Sequence, residues 1–369
     1  MMINNGQHSA HAAEHDRAPQ VSDSSNLALP DIGVVIPYFQ RKSGLLPVAV
    51  RSAFAQTLAE RVVVVICDDS SPVSAESELR GLKDIPQQRV IILRRPNGGA
   101  GAARNSALDA LPAGVRYVAF LDSDDVWRPH HLASAMRTLD AGYDAYFCNF
   151  IGVGYPDIGH FERIGSLQSQ DHPIVDAEHH IHALAVSALE HTVSDGGGLI
   201  QTSTVVYRYH KWPQLRFREE FYNGQDFFFW MDLSELGARF AFSFELGSEN
   251  GAGINIYQGS GWGTERSMQR IRNELFVWTS VERFYRLSDR LRAANRRTIR
   301  ALQANAMGDL LHRLRHRKPV PGRLLADIVR MAPSTLWVAP TSVLRIALGK
   351  FTPDTSGRHK GESPSRRAP

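Results

Sequence analysis

Asp122, Asp124 and Asp125 stand within four positions of the segment Phe120-Leu121-Asp122-Ser123-Asp124-Asp125-Val126-Trp127. Three carboxylates this close repel one another, and at the end of a buried strand they are costly unless a cation accompanies them. Hard divalent cations such as Mg²⁺ or Mn²⁺ favour oxygen ligands and retain bridging phosphates. The pattern points to a metal-diphosphate site. Its alternative is a solvated acidic turn in which Asp125 caps a following helix. A second pair, Asp68-Asp69, precedes Ser70-Ser71-Pro72 and stands where a carboxylate accepts hydrogen bonds from a ribose or a base, or caps a turn. The third feature is Asn97-Gly98-Gly99-Ala100-Gly101-Ala102-Ala103-Arg104-Asn105. Its glycines allow close backbone approach, and a helix starting there aims N–H groups at an anion. Arg104 stands where a dinucleotide fingerprint needs its third Gly or Ala, and no Gly-Lys-Ser/Thr follows, so a dinucleotide oxidoreductase and a Walker-type loop are both disfavoured.

Short apolar, β-branched runs must hold these groups. Ile32–Pro37, Arg61–Ile66, Val90–Leu93 and Tyr117–Leu121 read as strands, with helical spacing in Ser43–Leu58 and Ala102–Leu111 between them. Buried strands alternating with helices predict an α/β fold with a doubly wound, mainly parallel sheet. In such sheets ligands sit outside the carboxyl ends of the strands, where Pro37, Tyr38, Asp68, Asp69, Asn97–Gly101 and Asp122–Asp125 all fall. Further on, Val205–Tyr209 reads as a strand, Asp226–Leu236 as an aromatic-rich helix and Gly247–Gly263 as a glycine-rich loop. Arg266–Leu287 and Arg296–Leu314 read as a helical extension.

The chain has 369 residues and a net charge of +4, and its composition is that of a globular protein rather than of a collagen-like, disordered or multi-span membrane chain. Residues 296–369 carry fifteen Lys plus Arg against four Asp plus Glu, a net of +11, which leaves −7 for residues 1–295. An acidic body argues against nucleic acid as a partner. The basic C-terminal region beside an apolar one suits an anionic membrane surface. Residues 328–348 are the longest candidate membrane segment, but Arg330, Pro333, Pro340 and Arg345 interrupt them, so they fit lying on a bilayer better than spanning one. Cys67 and Cys148 are too few for a disulfide framework and read as buried hydrophobes in a reducing, cytoplasmic setting. Residues 1–30 lack apolar periodicity and read as a disordered leader without signal-peptide character.

Taken in order, Ile36-Pro37-Tyr38, Asp68-Asp69-Ser70-Ser71, Asn97-x-Gly99-x-x-x-Ala103-Arg104-Asn105 and Leu121-Asp122-Ser123-Asp124-Asp125 closely resemble the inverting family-2 glycosyltransferases of GT-A fold. The resemblance is strong over about residues 31–150 and extends more weakly to about Gly263. It implies a nucleotide-binding half at 31–150, an acceptor and catalytic half at 151–264, a helical extension at 265–350 and a disordered basic tail at 351–369. By the same resemblance, Pro37, Tyr38, Asp68, Asp69, Gly99 and Arg104 face the donor nucleotide. Asp122 and Asp124 form the DxD pair, with Asp124 as direct metal ligand to Mn²⁺ or Mg²⁺ and Asp122 nearer the ribose or sugar. Asp125 assists or caps.

An inverting transfer also needs a carboxylate to take the acceptor's proton. The family carries it in a Glu-Asp pair that opens a helix. Here the matching stretch is Asn223-Gly224-Gln225-Asp226-Phe227, so Gln225 replaces the usual Glu and Asp226 is the candidate base, with helix capping as its alternative role. Gly259–Arg266 resembles the loop that closes over the donor diphosphate, where Trp262 offers a flat face and Arg266 a cation. Trp230 reads as core, and His191 and His210 lack zinc-ligand spacing. The implied activity is metal-dependent transfer of a monosaccharide from a UDP-linked donor to a glycan or lipid-linked acceptor in polysaccharide biosynthesis of the bacterial cell envelope, with peripheral contact at the inner face of the cytoplasmic membrane. Two other readings remain at this point. One is a haloacid-dehalogenase-type phosphatase with Asp122 as nucleophile, and the other a non-catalytic nucleotide-sugar-binding module.

Overall fold

Every residue of strands β1 (Ile32–Tyr38) and β2 (Val62–Asp68) is buried, as expected for strands covered on both faces by βα crossovers. The computed structural model describes residues 30–251, 253 and 260–337. After β1 the chain runs through α1 (Leu45–Phe54), β2, α2 (Ala75–Leu79), β3 (Val90–Arg94), α3 (Ala100–Asp109) and β4 (Tyr117–Phe120). It continues through β5 (Val126–Trp127), α4 (His131–Asp140), β6 (Ala145–Ile151), α5 (His160–Ile164), β7 (Ile174–Asp176) and β8 (Ile181–Ala183). Then follow α6 (Ala188–Asp195), β9 (Val206–Tyr207), α7 (Gln225–Glu235) and β10 (Phe240–Glu249). Three helices end the described chain: α8 (Ser267–Phe284), α9 (Asp289–Arg315) and α10 (Gly322–Met331).

The strands form one sheet in the order β3-β2-β1-β4-β9-β6-β10-β8-β7, with β5 paired to β10. β1, β2, β3 and β4 are mutually parallel. The chain winds outward from β1 to β3 and returns through α3 to place β4 on the other side of β1, so the strand order reverses between β1 and β4. A ligand crevice is expected at that switch point. Two-residue β9 runs antiparallel between β4 and β6, while β6 and β10 pair in parallel. The expected mainly parallel α/β sheet is therefore present, with β9, inside the anticipated strand Val205–Tyr209, running antiparallel, and with a β7–β8 edge hairpin added from a middle region where the sequence carried no clear pattern.

Alternate residues of the strands feed two cores. Val35, Val65 and Phe120 pack with Ala103 of α3 and with Phe229, Trp230 and Leu233 of α7. Val34, Ile36 and Val64 pack with Leu46 and Val50 of α1 and Leu132 of α4 on the other face. Helix α7 has a second contact surface, since Phe228 and Met231 join Leu275, Val281, Leu302 and Met307 of α8 and α9. A helix apolar on both sides is a buried helix, which accounts for its aromatic run and for Trp230 as core.

Three expectations change. Gly247 lies inside β10, which pairs along β6, not in a loop, and its missing side chain leaves room for neighbours that a Cβ would meet, Cys148 Sγ at 2.4 Å and His131 Nδ1 at 2.8 Å. Helix α9 starts well before Arg296, at Asp289, where the Ser288 hydroxyl accepts the Leu291 N–H at 3.3 Å and caps it. Helix α3 begins inside the glycine-rich run, at Ala100. Cys67 and Cys148 are free and buried. No helix among the described residues is long and apolar enough to cross a membrane. The leader up to residue 29, the tail at 351–369 and residues 338–348 of the broken apolar segment lie outside the described residues.

Candidate functional site

The turns at the carboxyl ends of β1, β2 and β4 are built largely by the acidic residues themselves. Asp68 is fully buried, and its two oxygens accept the Ser71 N–H at 2.7 Å and the Ala75 N–H at 2.9 Å, so it shapes the turn leading into α2 and is shielded from solvent. Asp69 accepts the Gly98 and Gly99 N–H groups, the latter at 2.7 Å, with Arg95 Nε 3.6 Å away. The N–H groups of the glycine-rich loop thus hold the protein's own carboxylate, not a free anion. Gly99 adopts φ +89°, which an L side chain rarely takes. Tyr38 is fully buried with α1 and α2, and burial pushes its hydroxyl up to about 12. Pro37 beside it is covered as well, so this strand end contributes a wall rather than a hydrogen-bonding side chain.

Arg104, expected to face the donor nucleotide, is bonded to the acidic motif. Helix α3 carries Arg104, which is buried, with its guanidinium 5.3 Å from the Phe217 ring centre. Its Nη2 donates to Asp122 Oδ1 at 2.6 Å. Asn105 fixes the platform below, because its amide and the Phe217 backbone exchange two hydrogen bonds of 2.8 and 2.9 Å. The other two guanidinium nitrogens of Arg104 are buried without a hydrogen-bond partner among the described residues.

The two following carboxylates differ in environment. Asp124 Oδ2 accepts the Gly253 N–H at 2.9 Å, and burial reinforced by the Asp122 charge pushes its carboxyl up to about 6. Asp125 is buried and caps no helix. It accepts Ser203 Oγ at 2.6 Å, Gln201 Nε2 at 2.7 Å and the Gly251 N–H at 2.9 Å. Burial, then the neighbouring Asp122 and Asp124 charges, raises its carboxyl above the ordinary range. The segment after β10 lies so close that a Cβ on Gly251 would stand 1.6 Å from the Asp124 carbonyl oxygen. Glycine there reflects a close approach.

Asp226 opens α7 one residue past its start, behind the left-handed Gly224. It serves no cap at the helix end itself, and its own neighbour Phe227 donates N–H to Oδ1 at 3.0 Å. Burial raises its carboxyl above the ordinary range, opposed chiefly by the Arg104 charge. Arg104 and Asp122 therefore lie close enough for both charges to act on Asp226. Gln225 beside it is buried, and its Cγ leaves 3.1 Å to a Cβ placed on Gly101, so the starts of α3 and α7 pack tightly together. Gly259 lies outside the described residues. Trp262 rests on α9, with its indole N–H on Asn305 and its ring against Gly308, and Arg266 is exposed. Among the described residues no group of three or more His, Cys, Asp and Glu has metal-site geometry.

Sequence reasoning missed Gln201, Thr202 and Ser203, which reach these carboxylates from the short turn before β9. Nothing in the spacing of Gln201–Thr204 marks them, because the sheet alone brings them in.

Residues 33–169 match the family model described as glycosyl transferase family 2. The chain is 30% identical to the succinoglycan biosynthesis protein ExoW of Rhizobium meliloti over 337 residues, 86% of this chain and 98% of that one. It belongs to glycosyl transferase family 2. This glycosyltransferase is also 36% identical over 110 residues to WfaP of Escherichia coli, a UDP-Glc:alpha-D-GlcNAc-diphosphoundecaprenol beta-1,3-glucosyltransferase, covering 30% of this chain and 41% of that one. Among solved structures, residues 1–349 of S. aureus TarS with UDP-GlcNAc align with a TM-score of 0.54 at 16% identity, over 87% of this chain and 93% of that one. The Pyrobaculum calidifontis mannosyltransferase PcManGT with GDP-Man and Mn²⁺ aligns with a TM-score of 0.50 at 13% identity, covering 87% of each chain. Both support the GT-A fold for this glycosyltransferase. A dehalogenase-type phosphatase would carry its aspartates on the first core strand, whereas here they follow β4, the fourth in sequence.

Proposed function

We propose that this glycosyltransferase moves a monosaccharide from a UDP-linked donor to a glycan or lipid-linked acceptor, with inversion at the anomeric carbon and with help from a divalent metal. The observation that carries the reading is the convergence of Arg104, Asp122 and Asp226 beside Asp124 at the β1/β4 switch point. The residues present fit a hard cation. Asp122 and Asp124 supply carboxylate oxygens, the donor type that Mn²⁺ and Mg²⁺ prefer, and the side chain of Asp122 is 31% exposed toward solvent. Burial and mutual repulsion disfavour two charges there without a counter-ion. The metal would supply charge compensation for the departing diphosphate.

The chain's own residues do the rest. Arg104, lying over Phe217 and bonded to Asp122, sets a fixed positive charge beside the diphosphate. Asp226 accepts the proton of the attacking hydroxyl, and its raised affinity for protons suits a base working near neutrality. A single carboxylate in this role fits direct displacement at the anomeric carbon, the inverting course. Asp69 and Gly99 hold the loop that borders the nucleotide.

The acceptor class is proposed from the names of the relatives, one a succinoglycan biosynthesis protein and one acting on a diphosphoundecaprenol-linked sugar. A cytoplasmic enzyme meeting such acceptors works at a membrane surface. Exposed Leu336 and Trp337 follow Ser334, which bonds Gln303 one turn from the exposed Arg300 on α9. Apolar anchors beside arginines suit an anionic interface.

A thermal-shift screen of UDP, GDP and their sugar conjugates, with and without Mn²⁺, tests the donor site. Stabilisation by a uridine nucleotide that depends on Mn²⁺ is expected. No metal-dependent response to any nucleotide would overturn it.

A further inference from the structure

The Gln201–Thr204 turn touches Asp122, Asp125 and Asp226. Gln201 donates to Asp125, and the Thr202 hydroxyl lies 3.5 Å from Asp226 Oδ2. Ser203 is fully buried and does three things at once. Its hydroxyl donates to Asp125 at 2.6 Å and accepts the Asp122 backbone N–H at 2.9 Å, and its carbonyl accepts the Trp127 indole N–H at 2.6 Å. Asp125, held also by the Gly251 N–H, orients the Ser203 hydroxyl so that a lone pair meets the Asp122 amide. A hydroxyl has one proton to give, and giving it to Asp125 leaves only acceptor capacity toward Asp122.

We propose that Ser203 is a positioning residue. The Asp125–Ser203–Asp122 chain of hydrogen bonds sets the main chain of Asp122 and so aims its carboxylate at Arg104 and at the metal-diphosphate group, while adjacent Thr202 keeps the same turn in register with Asp226. Asp125 serves here as an anchor, not as a ligand. The functional half of the proposal rests on the donor reading above, and the structural half does not.

The test combines hydrogen exchange with ligand binding on the full chain. In Ser203→Ala the Asp122 amide loses its acceptor, and its exchange is expected to speed up by ~10-fold, the weight of one buried hydrogen bond, while amides of β2 keep their protection. The apparent Kd for UDP in the presence of Mn²⁺ is expected to rise by ~10-fold, with metal-free UDP binding changed far less. Gln201→Ala removes one donor from Asp125 without replacing Ser203 and is expected to produce both effects at ~3-fold; should Ser203→Ala unfold, unchanged exchange at Asp122 in Gln201→Ala overturns the proposal. Unchanged exchange at Asp122 in a folded Ser203→Ala would overturn the positioning role whatever the protein binds. Faster exchange with unchanged UDP–Mn²⁺ affinity would overturn its functional half. A wild-type protein that binds no UDP refutes the donor reading and with it that half, and the exchange result then decides the structural half alone.

Discussion

Arg104 Nη2 donates to Asp122 Oδ1 at 2.6 Å across the mouth of the sheet, so a cation from α3 and an anion from the end of β4 are joined where the strand order reverses. The pair is unequal in burial, with 5% of the Arg104 side chain exposed against 31% for Asp122. The buried cation is the fixed member, and the carboxylate faces the crevice.

Arg104 lies over the Phe217 ring and carries a planar guanidinium, geometry that lysine does not reproduce. In Arg104→Lys the KM for donor is expected to rise by ~10-fold or more, the scale of a lost charge-assisted contact. Kinetics at varied donor concentration check this, and an unchanged KM would remove Arg104 from the donor site.

As the proposed base, Asp226 must be ionised to accept a proton, and burial raises its pKa in the folded protein. Activity is therefore expected to fall as pH drops, with a midpoint above the ordinary aspartate value of ~3.9. Asp226→Asn should lower kcat by ~10² or more while leaving nucleotide affinity in place. Equal loss of nucleotide binding would mean that Asp226 serves structure instead.

Asp124 carries a sign that stability measurements read directly. Its folded pKa of about 6 lies above the unfolded value, so the native state holds a proton that the unfolded chain has released. This contribution is present below pH ~3.9 and is lost as pH rises through the folded value. The melting temperature of metal-free Asp124→Asn minus that of wild type is thus expected to grow between pH 4 and 7, and Mn²⁺ should raise the wild-type value at pH 7. A difference independent of pH would show that Asp124 has no raised pKa.

Gly251 leaves no room for a side chain, since a Cβ would sit 1.6 Å from the Asp124 carbonyl oxygen. Gly251→Ala is expected to destabilise the fold by ~1–3 kcal/mol and to disturb the bond from Gly251 N–H to Asp125. Chemical denaturation measures the first effect. Wild-type stability would mean that the end of β10 stands away from Asp124 in solution.

At the C-terminal helices, Asp309 and Arg313 form a buried pair at 2.8 Å, and both also bond Ser267 at the start of α8. Breaking such a pair from one side leaves a buried charge uncompensated, so Asp309→Ala is expected to cost ~3–5 kcal/mol. A loss under 1 kcal/mol by the same denaturation measurement would mean that Arg313 finds water when Asp309 is removed.

Much of this protein is legible in its amino-acid sequence. Local β-branched runs and the positions of acidic residues after them define the parallel strands and the aspartates at their ends, because strand periodicity and strand-end chemistry are local properties of the chain, whereas Asp226, at the start of α7, is marked only by resemblance to the family's Glu-Asp pair. Which carboxylates remain available is not local. Asp68 and Asp69 read as nucleotide contacts, yet their oxygens are taken by backbone N–H groups at Ser71, Ala75, Gly98 and Gly99. Asp125 reads as a cap or assistant, and its partners Gln201, Ser203 and Gly251 lie 76 to 126 positions away. Pairings over such separations depend on β9 inserting beside β4 and on β10 ending over the acidic turn. The sequence alone determined which chemical groups reach the crevice, and only tertiary packing decided which of them fold the site and which are left to face a ligand.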